Sequence, residues 1–318
     1  MEYARDLRLP TLRLHQDGGV LVARYESPPL NFMTSAFVDD WDALTRAADR
    51  DGSVGAVVLT GAPEDRFLTH FDVEELAATA ETPAPPLTPL LANAVVRAGA
   101  ASLRVPGGRR AWLAYGGPLG RSLVTLGRLH RTIRRMHRSG VVYVAAINGP
   151  CLGGGLEMAL ACDVRLAADS PVVQLGQIEI LGGIIPGAGG TQHLPRVVGT
   201  AKALELVLEG RVLAPAEALE IGLVSGIHPP GDLLDEAAAV AARLASRSPE
   251  SIAAAKRAVY DGASLPISQG LYVEAAGLVI SGKTWAARRL ARAFSDDLAA
   301  FGETPFLADR ERWHSGSR

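Results

Sequence analysis

Apolar and polar residues alternate over residues 11–15 and 20–25, on either side of Gln16-Asp-Gly-Gly. That pattern predicts a β-hairpin closed by a glycine turn. The period then changes. Thr34 or Ser35 can cap a helix that runs to about Arg50, with Phe37, Trp41, Leu44 and Ala48 recurring on one face. Residues 54–59 and 141–147 are short, continuous apolar runs, the signature of strands buried on both faces. Between them Asp72 can cap a short helix over 73–78, and a longer helix is predicted over 119–138. After the second buried strand come a helix at 154–161 and short strands at 164–167, 172–175 and 223–227. Helices are predicted at 191–198, 201–209 and 215–221, the last stopped by Gly222. Asp232 opens an alanine-rich helix to Arg247, and helices continue to the end.

Strands and helices alternate through the first 230 residues, and the remainder is helical. The pattern predicts an α/β core over 1–230 and a helical C-terminal region over 231–318. Residues 81–127 have a different texture. Pro83, Pro85, Pro86 and Pro89 break regular structure at the start, and Gly107-Gly and Gly116-Gly-Pro break it again, with a helix possible over 90–101. This stretch reads as an insertion or lid on the core.

Composition changes the picture little. The chain has 318 residues, a formal net charge of −2 and 21% charged residues. No whole-chain field points to nucleic acid. The basic run 128–138 is expected to be a solvated helix face. Cys151 and Cys162 form no disulfide framework or zinc motif and read as small core residues. The charged N-terminus is unlike a signal peptide, and no apolar run approaches 18 residues. The expectation is a soluble cytoplasmic protein with no membrane or nucleic-acid partner and no bound metal.

Two carboxylates stand out against this background. Glu157 follows Gly153-Gly-Gly, and Glu179 is the only charge between Ser170 and Arg196. Carboxylates are seldom buried without a partner or a task. Glycines between a strand and a helix let the backbone approach a ligand, and the first helical turn presents free amides that stabilise an anion or an oxyanion. Glu157 could equally complement its own helix dipole, and Glu179 could sit on an edge strand. Gly187-Ala-Gly-Gly offers further amides near Glu179. Gly277 to Thr284 fits the spacing of a phosphate-binding loop, but its flanks read as helix and no acidic partner strand follows.

The chain from Ala145 to Ile227 resembles the enoyl-CoA hydratase/isomerase (crotonase) superfamily. The shared pieces are Ala-Ile-Asn-Gly-Pro, Leu-Gly-Gly-Gly-Leu-Glu-Met-Ala, Ala-Cys-Asp, Gly-Gln-Ile-Glu, Ile-Pro-Gly-Ala-Gly-Gly-Thr-Gln and Ala-Leu-Glu-Ile-Gly-Leu-Val, in the family's order. Weaker likeness runs upstream through Leu30-Asn31, residues 57–61 and residues 67–76. The resemblance implies a spiral of ββα units and a C-terminal helical region that forms a homotrimer or homohexamer. It implies an acyl-CoA thioester whose carbonyl is held by the backbone amides of Phe71 and Gly154. CoA would enter as part of the substrate, with no further cofactor. Glu157 would orient or activate the water that attacks Cβ, and Glu179 would give the proton to Cα. Leu30, His70, Asp72, Gly153 and Gly187 would line the acyl-CoA site, Gly187 through an amide that helps to hold the water. The alternatives within the resemblance are a Δ3,Δ2-enoyl-CoA isomerase or another enolate-forming enzyme, and a non-catalytic binding or scaffold protein of the same fold.

Two departures bear on specificity. His70-Phe71-Asp72 stands where the family often has Gly-Ala-Asp, and Glu26-Ser-Pro-Pro-Leu30 lacks the cation that the family often places near CoA. With the longer stretch between Asp72 and Asn148, these leave the acyl group and its carrier, CoA or a carrier protein, open.

Overall fold

The computed structural model describes residues 3–81 and 88–315. Pro83, Pro85 and Pro86 lie outside the described residues. The predicted hairpin is present as β1 (Leu12–Asp17) and β2 (Val20–Tyr25), joined by Gly18-Gly19. The turn is tighter than the sequence suggested, because Gln16 and Asp17 extend β1. Gly18 has φ of 52°, a conformation that costs glycine little.

β3 (Ala56–Gly61) and β4 (Val142–Ile147) are buried at every position, as their unbroken apolar sequence requires. β6 (Val164–Ala168) and β8 (Gly226–His228) complete a six-stranded sheet of order β1-β2-β3-β4-β6-β8. Only the β1–β2 pair is antiparallel. The core forms where helices cover this sheet. On α1 (Ser35–Ala48), Thr34 caps the first turn, its Oγ1 accepting from the Phe37 amide at 3.2 Å. Phe37 and Trp41 then pack onto Tyr25 and Tyr143.

α1 runs beside α5 (Gly117–Met136). Their contact is polar as well as apolar. Asp39 pairs with Arg128, and Asp42 accepts from Thr132 at 2.8 Å and pairs with Arg135. Arg128 is buried, so the run 128–138 is not simply a solvated face. Before α5 come α2 (Val73–Ala80), α3 (Pro89–Ser102) and α4 (Gly108–Tyr115). The described residues of this stretch, from Thr88 on, are mostly helical, with α3 and α4 packed on α5.

A second, two-stranded sheet pairs β5 (Cys151–Leu152) with β7 (Leu175–Gly176). It brackets α6 (Gly154–Ala161). The strand expected over 172–175 shrinks to β7, and β8 starts later than the apolar run at 223. Leu223 and Val224 instead turn back on α9, both their amides donating to the Ala218 carbonyl. α7 (Gly190–Val198), α8 (Thr200–Glu209) and α9 (Pro215–Glu220) follow. α10 (Leu233–Ala245) lies across β2, β3, β4 and β6.

The rest is helical: α11 (Pro249–Tyr260), α12 (Ile267–Gly282), α13 (Trp285–Phe301) and two short turns to Ser315. Gly277 to Gly282 belong to α12 and Thr284 caps α13, so the apparent phosphate loop is the end of one helix and the cap of the next, with no strand before it. No helix of the described residues is long and apolar enough to cross a membrane. No group of three or more His, Cys, Asp or Glu among them could hold a metal ion.

Candidate active site

β3 and β4 are parallel neighbours, so their C-terminal ends emerge together and the loops that follow meet. In α/β sheets this edge is where ligands bind. Asn148 ties the two loops: its side chain accepts from the Gly61 amide at 3.1 Å and donates to the Pro63 carbonyl at 2.8 Å. Leu152 N–H donates to the Thr69 carbonyl at 2.7 Å. The contact is close enough that a Cβ on Gly155 would lie 1.8 Å from the Leu68 carbonyl oxygen. Only glycine fits there.

This docking sets two amides side by side. Met33 N–H donates to the His70 carbonyl, and Asp72 N–H donates to the Met33 carbonyl, both at 2.8 Å. In such a parallel bridge the residue between, Phe71, turns its own N–H away from Met33. The Phe71 nitrogen lies close to Gly154, 3.5 Å from where a Gly154 Cβ would stand. Gly154 is the first residue of α6, so its N–H has no partner within the helix. Neither amide has an acceptor among the described residues. Free N–H groups of this kind are suited to an oxygen that gains negative charge.

The carboxylates sit beside it. Glu157 is 3% exposed. Its Oε1 accepts from the amides of Ala188 and Gly190, each at 2.7 Å. Gly189, between them, has φ of 116°, which turns successive N–H groups to one side at the start of α7. Burial pushes Glu157 up to about 7, with the charge of Glu179 adding to the rise and the Gly190 and Ala188 amides opposing it.

Glu179 arrives through the small sheet. Gly153 N–H donates to the Gly176 carbonyl at 2.8 Å, which draws residues 177–179 alongside the triple glycine. Gly153 has φ of 47°, and a Cβ there would meet Glu179 Oε1 at 3.2 Å. Glu179 opens a 3-10 turn and not an edge strand. It is half-buried, and desolvation raises it to about 7 as well. With its amide nitrogen turned toward Glu179, the buried Gln177 donates to both carboxylate oxygens at 3.0 Å.

The structure thus gathers Glu157, Glu179, Gly153, Gly154 and Phe71 at one place. The remaining named residues make the following contacts. The Asp72 side chain caps α2, accepting from Glu74 N–H at 2.8 Å. His70 Nδ1 lies 2.8 Å from the Phe71 carbonyl, and its ring leans on Phe32. Leu30 is exposed and touches the loop through its carbonyl, which accepts from Thr69. The Gly187 carbonyl lies 2.8 Å from His130 Nε2. Sequence reasoning passed over Gln177 and Met33 and did not single out Ala188 and Gly190 within their loop. A buried glutamine two residues before Glu179 gives no periodic signal. The glycine run at 187–190 marked the loop, but not which amides face Glu157.

A family model described as enoyl-CoA hydratase/isomerase matches residues 124–293. The chain belongs to this family. It is similar to a Bacillus subtilis protein named "Probable enoyl-CoA hydratase", with 40% identity over 307 residues, 96% of this chain and 98% of that one. A second B. subtilis relative, YngF, is 45% identical over 131 residues, 41% of this chain and 50% of that protein. Among solved structures, the enoyl-CoA hydratase of Bacillus anthracis superposes with a TM-score of 0.70 at 26% identity, over 90% of this chain and 96% of that one. The architecture is the α/β crotonase fold with C-terminal helices.

Proposed function

We propose that this protein hydrates a trans-2-enoyl-CoA thioester. The observation that carries the reading is the pairing of two carboxylates, both raised to about 7, beside the Phe71 and Gly154 amides. The charge of Glu179 adds to the rise at Glu157, and with both groups near neutrality one can be ionised while the other is protonated. One is then ionised and can take a proton from water, and the other is protonated and can give one to carbon.

In this mechanism the thioester oxygen sits between the Phe71 and Gly154 N–H groups. Glu157, fixed by the Ala188 and Gly190 amides, receives a proton as water adds to Cβ. The enolate charge collects on the cradled oxygen, and Glu179, steadied by Gln177, delivers a proton to Cα. The sum is one water added across the 2,3 double bond. Both carboxylates hold their place through hydrogen bonds that do not involve substrate, which supports roles as prepositioned groups.

A panel of trans-2-enoyl-CoA thioesters tests the reading through loss of conjugated-enoyl absorbance and appearance of the 3-hydroxyacyl product. Exchange of the α-proton without added water would reverse it in favour of an isomerase. We also propose that the C-terminal helices mediate self-association into a homotrimer or homohexamer. Ile267, Tyr272, Leu278, Val279 and Ile280 on α12 are all more than half exposed in the single chain, which supports this. Light scattering of the purified protein would return the subunit number.

A further inference from the structure

Residues 82–156 contain ten arginines and neither aspartate, glutamate nor lysine. In a chain of net charge −2 this is a large local asymmetry. Within the described residues four of the ten have acidic partners. Arg109 and Arg128 share Asp39, Arg135 pairs with Asp42, and Arg138 pairs with Asp261. No carboxylate of the described residues lies within ion-pair distance of Arg97, Arg104, Arg110, Arg121, Arg131 or Arg134, and all six are exposed.

These charges come together in space. Arg121, Arg128 and Arg135 recur every seven residues, which puts them along one side of α5. Arg109 reaches that side from α4 by sharing Asp39 with Arg128. Desolvation lowers the pKa of Arg131, Arg46, Arg109 and Arg104 lower it further, and Asp42 opposes them. A Cβ on Gly127 would lie 3.1 Å from the Leu103 side chain and 3.5 Å from Arg131, and α1, α3 and α4 all pack on α5, so these elements converge in a cationic patch. On the same stretch of chain Val105, Leu113, Tyr115 and Leu119 are exposed, Tyr115 at 90%. Arginine, aromatic and aliphatic side chains mixed in this way characterise protein interfaces, where the planar guanidinium binds carboxylates through two bonds.

The patch is coupled to the site. His130, two residues after Arg128, contacts the carbonyl of Gly187 in the loop that holds Glu157. α2 follows directly from Phe71 and Asp72 and packs on α5. The segment Glu26 to Leu30, by contrast, holds no cation.

We infer that the face formed by Arg104, Arg109 and Arg131 with Arg121, Leu113 and Tyr115 docks an acidic protein that carries the acyl thioester on a flexible prosthetic arm. The inference rests on the hydratase reading only for what the arm delivers. Charge complementarity selects the partner: a surface with a net excess of arginine over carboxylate speeds encounter with an acidic protein and rejects a basic one.

The test uses the full-length protein and a fluorescently labelled acidic acyl carrier protein, with anisotropy read at low and at raised salt. The expected result is saturable binding that weakens with salt. Arg104→Gln/Arg109→Gln/Arg131→Gln should weaken it about tenfold, and the corresponding triple lysine variant should largely restore it. Circular dichroism establishes that both variants fold. Turnover of the same enoyl group on the carrier protein should fall with the glutamine variant, while turnover of the CoA thioester changes less than about twofold. Three results overturn the proposal: no binding, equal loss of both turnovers, or binding of vesicles of anionic phospholipid in place of the carrier protein. Failure of wild type to hydrate either thioester would instead overturn the hydratase reading, with the binding measurement standing apart from it.

Discussion

Two parts of this molecule use opposite means. From Asn148 to Gly190 the backbone fixes the chemistry: glycines at 153, 154, 155 and 189 let strands, loops and helix starts approach, and two carboxylates are placed among amides. From Thr88 to Arg138 the side chains dominate. That stretch is helical, rich in arginine, and leaves apolar residues such as Leu90, Val96 and Tyr115 exposed. The first part tolerates almost no change in shape, and the second has room for many. On the proposals made above, the first part would carry the reaction and the second the recognition. Positions accurate to a fraction of an ångström come from rigid, close-packed backbone, and a recognition face is assembled from exposed side chains on helices.

The comparison breaks most visibly at Glu157. Glu157→Gln keeps an oxygen for the Ala188 and Gly190 amides but can neither gain nor lose a proton. Hydration of an enoyl-CoA is expected to fall by about 10²–10⁴, with an unchanged circular dichroism spectrum. Glu179→Gln should lose activity on a similar scale. Near-normal turnover in both variants would mean that the carboxylates are structural and that the contrast between the two parts is only one of packing.

Next in size is the backbone itself. A methyl on Gly155 would lie 1.8 Å from the Leu68 carbonyl oxygen, which is backbone and cannot swing aside. Gly155→Ala is expected to cost about 1–3 kcal/mol or to prevent folding, read as a lowered midpoint in urea. In the helical part Arg97→Ala should leave that midpoint unmoved, since the side chain is exposed and the helix favours alanine.

Much of this contrast was legible in the sequence. The hairpin, α1, β3, β4 and α6 came out close to their observed limits because apolar period and capping residues agree there. Glu157 and Glu179 were visible as isolated charges in glycine-rich surroundings. What was hidden depends on distant pairing. The place of Glu179 beside Gly153 follows from β5 meeting β7, two strands of two residues each, too short for any period. Gln177 was silent for the same reason. The basic run 128–138 was misread as solvated because Asp39 and Asp42, ninety residues away, bury part of it.

The carboxylates also make a prediction about pH. Glu157 has a folded pKa of about 7 against an ordinary value of 4.5. Between those values the folded protein holds a proton that the unfolded chain has released, so stability falls as pH rises from 4.5 to 7 and is flat above. Removing the group removes that slope. Glu157→Gln should therefore lose less stability than wild type between pH 5 and pH 8, by a margin of order 2–3 kcal/mol if the shift is intact. Parallel melting curves for the two proteins across that range would mean that Glu157 is ionised as readily as a surface carboxylate.

The smallest expected effect sharpens the comparison from the other side. Tyr115 closes α4 and is 90% exposed, so its ring has little apolar contact to lose in the single chain. Tyr115→Ser should change the urea midpoint by no more than about 0.5 kcal/mol, the range of surface substitutions, and should leave hydration of a CoA thioester alone. A larger loss in a concentration-dependent melt would place the ring in a contact between subunits. A loss confined to thioesters delivered on an acidic protein would place it in the recognition face instead. In either case the substitution acts through a partner and not through the fold, because a residue with so little buried surface can destabilise a protein only through what it meets from outside.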